Sequence, residues 1–428
     1  MTNSASINNG SVDQVVIYGG FIPSEGYEIS DLVNEFNIYQ SIDAPFLTAK
    51  MVVVDGVGLL NNAYLMGNEY VAFTYGVILP SGEKLQRTIN FLVTGIEKLE
   101  KQGESFVYVL NLGSMHFQKN AITKISQSYS GKSSDIIAKV LKDKLGVTDE
   151  LSLIEETSDN IKLVIPNLNI SETLAFISRR AASLNGTPCF TYEHLDGSIE
   201  FSSIEGMYLR RPAFAYYRRD QKSTDPLSTY STINTFQIDR ISQGYENVVS
   251  GMYAAKVYAY DALTRNFVEH NFNIADKELD MTTFLNKSIY NPNISINGKS
   301  FNEIPESKTY TIITSSNGSN SLRPKITSNH DEVGDYYTNS ELRFPFLNSK
   351  LQQLDNCLIT IGVQGNSSIF PGSILNIVIP SNSAQINDEA SKLDNFLSGN
   401  YVVVSVRHIF KQQSFITYAQ IAKDSFGI

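Results

Sequence analysis

Two distant stretches of this chain read as copies of one β-hairpin, and that repetition limits what it can fold into. Phe91–Leu112 (FLVTGIEKLEKQGESFVYVLNL) aligns with Tyr401–Ile421 (YVVVSVRHIFKQQSFITYAQI) when Gly103 is dropped. Five of the 21 aligned positions are identical: Val93/Val403, Lys101/Lys411, Gln102/Gln412, Ser105/Ser414 and Phe106/Phe415. Average residue usage gives about one identity by chance. Each hairpin follows a strand opened by glycine (Gly67–Phe73, Gly372–Val378), and each of those follows an apolar run (Met51–Val54, Leu358–Ile361). In the first hairpin Phe106, Tyr108, Leu110 and Leu112 share one face, and Val107 and Val109 share the other. A strand apolar on both faces is covered on both. One face suits a barrel core and the other a neighbour. The pattern predicts two equivalent barrels with Phe106 and Phe415 at the same buried site. A chain of two such barrels can form two sixths of a six-fold ring, which points to an adaptor in a symmetric assembly and away from an enzyme.

Between the hairpins the pattern changes. Residues 14–118 read as strands and form the first barrel, with turn residues at Asp55-Gly56 and Pro80-Ser81-Gly82. Residues 119–231 read as an α+β module. There a helix capped by Ser133 or Ser134 carries Ile136, Ile137, Val140, Leu141 and Leu145 on one stripe and stops at Gly146. A second helix starts at Ser171-Glu172, carries Leu174, Ile177, Ala181 and Leu184, and ends at Gly186. Cys189–Tyr192 and Ile199–Phe201 flank Asp196-Gly197 as a hairpin. Residues 232–263 are strands returning to the barrels (Thr232–Ile241, Val248–Tyr260). Residues 264–340, rich in Asn and Ser, are a peripheral region with short apolar runs such as Tyr310–Ile313. A helix from about Asn348 to Leu354 opens the second barrel, 341–428, which shares strands with earlier segments. The expected class is α+β, dominated by β-structure. The pattern runs almost to the last residue, so no further domain is expected after it.

Composition removes several functions. The net charge of −10 and pI near 5.1 oppose specific nucleic-acid binding, which demands clustered Lys and Arg. Cys189 and Cys357 are too few for a disulfide framework or a thiolate metal site and read as buried apolar residues. No run approaches a membrane span, and the N-terminus lacks a secretory pattern, so neither membrane insertion nor export is expected. The five histidines (His116, His194, His270, His330, His408) show no paired ligand spacing. Gly131-Lys132-Ser133 lacks the first glycine of a phosphate loop, because position 126 is Ser, and reads as a turn before a helix with a solvated Lys. Gly56-Val57-Gly58 has Asn61 where a dinucleotide fingerprint needs glycine, and reads as a strand-end turn. Carboxylate pairs such as Glu155-Glu156 and Asp331-Glu332 read as solvated loops. No catalytic residue, cofactor or metal is assigned. One cluster interleaves cations with rings: Arg210, Arg211, Tyr216, Tyr217, Arg218 and Arg219. Such residues stack bases in single-strand binders and are enriched at protein interfaces. In an acidic chain we read them as a protein interface.

Several segments resemble the baseplate hub proteins of contractile-tailed bacteriophages and, more distantly, the hub part of type VI secretion spike proteins. They are Glu28–Tyr39 (EISDLVNEFNIY), Pro45–Thr48 running into Met51–Asp55, and Phe176–Ala181 followed by Phe190–Glu193 and Asp196-Gly197. Further on come Asn247–Gly251 with Val257–Asp261, Gly362–Asn366, Pro371-Gly372, and Leu397–Tyr401 through His408. Their specificity lies in order and spacing; none is a chemical motif. Residues 264–340 fall outside the resemblance. It implies two tube-type barrels per chain and a homotrimer forming a short hollow cylinder of pseudo-six-fold symmetry. That trimer would join a hexameric tail tube protein to a separate central spike protein and leave a channel for DNA. Baseplate wedge and tape measure proteins are further implied partners. The place implied is the virion's tail baseplate, assembled in the host cytoplasm. The alternative is a tail-associated protein that binds carbohydrate or cleaves cell wall.

Overall fold

The computed structural model describes residues 10–78, 84–184, 186–219, 229–241, 244–261, 265–274, 285–286, 288–289, 295–296, 298–300, 303–314, 340–381, 393–412 and 414–426. The expected turn at Pro80-Ser81-Gly82 and His330 lie outside these residues. Among those described, no helix is long and apolar enough to cross a membrane.

Alternation builds the first barrel. Its strands are β1 (Gly10–Tyr18), β2 (Val33–Ser41), β3 (Ala44–Asp55), β4 (Tyr70–Ile78), β5 (Lys84–Gln102) and β6 (Ser105–Ser114). Along β3, Leu47, Ala49, Met51 and Val53 are buried while Thr48, Lys50 and Val54 are exposed, the period of two that a pleated strand imposes. The strands lie in the order β2-β3-β6-β5-β4-β1. The curl closes where Ile29 N–H donates to Val15 O (2.8 Å) and Val15 N–H donates to Ser30 Oγ (2.9 Å). At the end of β3 the buried Asp55 carboxylate accepts from the N–H groups of Val57, Leu59 and Leu60, so Gly56-Val57-Gly58 is a capped strand-end turn.

The inserted module contains α1 (Met115–Ile122), α2 (Ser133–Val140), α3 (Ile170–Ser178) and a hairpin of β7 (Cys189–Glu193) with β8 (Ile199–Ser203). The stripe Ile136, Ile137, Val140, Leu141 and Leu145 is buried, and Gly146, at φ 69°, ends it. Ser133 does not cap α2. Its N–H and Oγ donate to Asp159 (3.1 and 2.6 Å), and Lys132 holds the cap position beside Glu156. In α3 the cap is Asn169, paired with Glu172 in a capping box. That helix stops at Ser178 and not at Gly186; the chain turns at Ser183 and Thr187, whose hydroxyls bond at 2.8 Å, and Leu184 is exposed.

Two strands follow the module, β9 (Phe214–Tyr217) and β10 (Ile233–Ile241). Residues expected to continue as a strand from Val248 instead form the helical turn Gly244–Ser250, broken at Gly251 (φ 82°). Next comes a small sheet with β11 (Ala254–Asp261) between β12 (Asn266–Asn273) and β13 (Thr309–Thr314). Two segments of the region read as peripheral are therefore regular strands. They flank β11, where Ala255 forms a core with Met252, Tyr253, Phe272 and Ile274. Helix α4 (Ser340–Leu354) starts well before Asn348 and carries Pro345 inside it. The chain then forms β14 (Cys357–Gln364), β15 (Ile374–Val378), β16 (Gly399–Lys411) and β17 (Ser414–Lys423). With β9 and β10 these make the second barrel, in the order β10-β14-β17-β16-β15-β9. Tyr217 N–H closes it by donating to Ser231 O at 2.7 Å.

The barrels correspond strand for strand, and each takes its strands in the same chain order. One pair breaks the match: β1 and β4 run antiparallel, whereas β9 and β15 run parallel. Val93 faces Leu112 as Val403 faces Ile421, and each strand skips one residue just afterwards. The extra residue of the first hairpin, however, is not Gly103. Gln102 pairs with Ser105 as Lys411 pairs with Ser414, so the turns are equally long. The surplus sits in a bulge between Glu97 and Glu100, where Lys98 takes φ 54°. Lys101 thus stands where the second hairpin has Phe410, and the Lys101/Lys411 and Gln102/Gln412 identities are not structural counterparts. A second repeat passes unnoticed in the hairpin alignment. Val33-Asn34-Glu35-Phe36-Asn37-Ile38 in β2 matches Ile233-Asn234-Thr235-Phe236-Gln237-Ile238 in β10, with the same register skip after the first residue.

Candidate assembly interface

The barrels meet through one strand. The first part of β16 pairs with β15, whereas Ser405–Lys411 pairs antiparallel with Glu35–Ser41 of β2. The tip of the second hairpin therefore reaches the first barrel's core. The rings of Phe410 and Phe415 stack at 4.2 Å, and Phe410 lies 4.7 Å from Tyr75 and 5.2 Å from Phe73. Phe36 stacks on Phe73 at 3.8 Å. Glycines make the room: a Cβ on Gly365 would lie 2.1 Å from the Phe415 ring, and one on Gly10 2.6 Å from its Cβ. At the rim Arg407 Nε donates to Asn37 Oδ1 (3.0 Å), and Lys411 pairs with Glu35 (3.3 Å). Phe106 and Phe415 hold the same hairpin position but are not equally buried. Phe415 is inside, while Phe106 is half-buried at the margin of that same core. Its cross-strand partner is Lys101 in place of an aromatic ring.

The Arg/Tyr cluster divides. Arg210 pairs with Glu200 of β8 and donates to Gly372 O (3.2 Å), tying the module to the second barrel. Tyr216 is buried and accepts from Asn366 Nδ2 (3.2 Å); burial pushes its hydroxyl up to about 12. Arg211, Tyr217, Arg218 and Arg219 are exposed. Arg218 lies 5.1 Å over the ring of Phe236, and Arg219 lies 5.3 Å over that of Tyr217. Strand alternation explains the split of Tyr216 from Tyr217.

Sequence reading also missed a buried acid. Glu193, at the end of β7, accepts from Leu47 N–H (2.9 Å) and Ser114 Oγ (2.7 Å), joining the module to the first barrel, with His116 Nε2 3.8 Å away. Burial raises its carboxyl to about 8 against those two hydrogen bonds. Between roughly pH 4.5 and 8 the folded chain keeps a proton that the unfolded chain has released. The stability from this site is therefore full below that window and is lost as pH rises through it, by up to about 5 kcal/mol. Glu193→Gln should flatten that slope and melt higher than the parent at pH 8. Parallel slopes for the two proteins in thermal melts from pH 5 to 8 would refute the assignment. His408 is buried against Thr417 (3.1 Å), and burial lowers it to about 4. Lys423, also buried, donates to Phe396 O (2.5 Å) and Ser398 O (3.3 Å), and burial lowers it to about 8. Both cysteines are buried. Among the described residues no group of three His, Cys, Asp or Glu is placed to hold a metal ion.

No protein-family profile and no curated protein matches the chain. Solved structures do. A tail protein from Neisseria meningitidis MC58 aligns at a TM-score of 0.52 and 11% identity, over 97% of this chain and 97% of its own. The 43 kDa tail protein of prophage MuSo2 from Shewanella oneidensis aligns at 0.53 and 9% identity, over 96% of this chain and 99% of its own. The type VI secretion component c3393 of E. coli aligns at 0.41 and 10% identity over 97% of this chain and 78% of its own, an overlap too loose to carry a conclusion. From end to end, the chain has the fold of the two tail proteins.

Proposed function

We propose that this chain is a structural part of a phage-type tail, a baseplate hub in which three copies close a ring of six barrels. One observation carries the reading: two barrels of matching strand order, joined edge to edge within one chain. Three such chains present six similar faces on one side, suited to a hexameric tube, while keeping three-fold symmetry for a spike on the other. The likeness to two tail proteins over nearly their whole length supports it. The role is geometric, with no chemistry assigned, and the ring belongs in the virion's baseplate. The net charge of −10 suits a channel that DNA traverses without adhering. Native mass spectrometry should find trimers of the 47.6 kDa chain, and negative-stain images should show rings with six lobes. A chain that stays monomeric at every concentration, alone and with a co-expressed spike, would overturn the reading.

A further inference from the structure

Among the described residues, the two-barrel unit ends in two open strand edges. Within β5, Lys84–Leu92 pairs with β4, but Gly95–Gln102 has β6 on one side and no strand on the other among the described residues. At the opposite end, β10 pairs with β14 alone among the described residues. These are the counterparts of the two segments that join the barrels inside the chain: Gly95–Gln102 corresponds to Ser405–Lys411, and β10 corresponds to β2. Burial records the difference. Ile38 in β2, which pairs with β16, is fully buried, whereas its counterpart Ile238 is 44% exposed.

We infer that neighbouring copies join by antiparallel pairing of Gly95–Gln102 of one copy with β10 of the next, in the register of the chain's own barrel junction. This rests on the ring reading above and names the contact that closes the ring. Transferring the internal register sets Gln102 opposite Thr235, Lys101 opposite Phe236, Glu100 opposite Gln237, and Glu97 beside Arg240. The occupant of each edge is thus a second copy of this chain, because the chain already shows what such an edge accepts. An unpaired edge is a template for another strand, and charged residues with a bulge keep it from pairing at random. Glu97, Lys98, Glu100 and Lys101 are exposed along one edge, and the bulge at Lys98 bends it. On the other edge Arg218 covers Phe236. Lys101 in place of Phe410 leaves this junction without the aromatic plug of the internal one. It is the more polar and weaker of the two, and assembly is concentration-dependent.

The test is a pair of cysteines. Residues directly opposite in an antiparallel pair share a face and lie within disulfide reach. Glu100 and Gln237 are both exposed, so Glu100→Cys with Gln237→Cys should leave the fold intact. Mild oxidation of the full chain should give covalent dimers and closed trimers. Moving the second cysteine one residue, to Ile238→Cys, turns it to the other face and should abolish the link. Ile238→Asp should weaken trimer formation at least tenfold without changing the monomer's melting temperature. A trimer of native mass that the Glu100/Gln237 pair does not link would overturn this junction while leaving the ring in place. A wild-type chain that never trimerises would overturn both.

Discussion

Replacing Phe410 with alanine is expected to cost about 3–5 kcal/mol of unfolding free energy, the usual range for deleting a fully buried aromatic ring. The effect should not be confined to the barrel from which Phe410 comes. Its ring touches Phe73 and Tyr75 of the first barrel and stacks on Phe415. One void therefore opens in a core that both barrels share, and both should lose stability together. Phe415→Ala should behave alike. Phe106→Ala, at a half-buried site, should cost about 1–2 kcal/mol. Urea titration followed by near-ultraviolet circular dichroism of the tyrosines would measure the series. Equal costs at Phe106 and Phe415 would contradict the asymmetry described here, as would a Phe410→Ala protein whose first barrel unfolds at its original midpoint.

Arg210→Ala is the second large effect, about 3 kcal/mol. Glu200 is 8% exposed and depends on Arg210 and His194 for partners, so removing the guanidinium strands a buried carboxylate. Those two partners hold its carboxyl below the ordinary range although burial, the largest influence, pushes it up. Adding Glu200→Gln to Arg210→Ala should recover most of the loss, because the uncompensated charge is then gone. An Arg210→Ala protein that equals the parent, or a double variant worse than Arg210→Ala alone, would show that the ion pair does not dock the module. Lysine in place of arginine should rescue only in part, since it cannot reach Glu200 and Gly372 O with one planar fork.

The hairpin repeat was legible because Ser105/Ser414 and Phe106/Phe415 lie next to turns of equal length, where register is fixed. It misled on the first arm between the bulge and the turn, at Lys101 and Gln102, because a bulge costs one residue wherever the backbone can bend, and nothing in GIEKLEKQ marks Lys98 as the place. The match of β2 with β10 escaped for another reason. The two strands sit in different surroundings, one covered and one open, so their burial patterns no longer resemble each other. Of the Arg/Tyr cluster, sequence gave the residue types but not the alternation that sends Tyr216 inward and Tyr217 outward. Glu193 carried no signal at all, since a lone acid after a strand reads as solvated until Leu47 and Ser114, far off in sequence, close over it.

The plug formed by Phe410 and Phe415 also bears on how the chain is made. A ribosome delivers β1 to β6 first, and a first barrel that could close at once would offer its edges to other copies while the rest was still being translated. All the strands that close it are made by Ser114, but its core includes two rings encoded near residue 410. Until those emerge its interior is short of Phe410 and Phe415, so the early half is expected to be less stable than the finished barrel. Completing the last hairpin fills the first core and finishes the second barrel in one step.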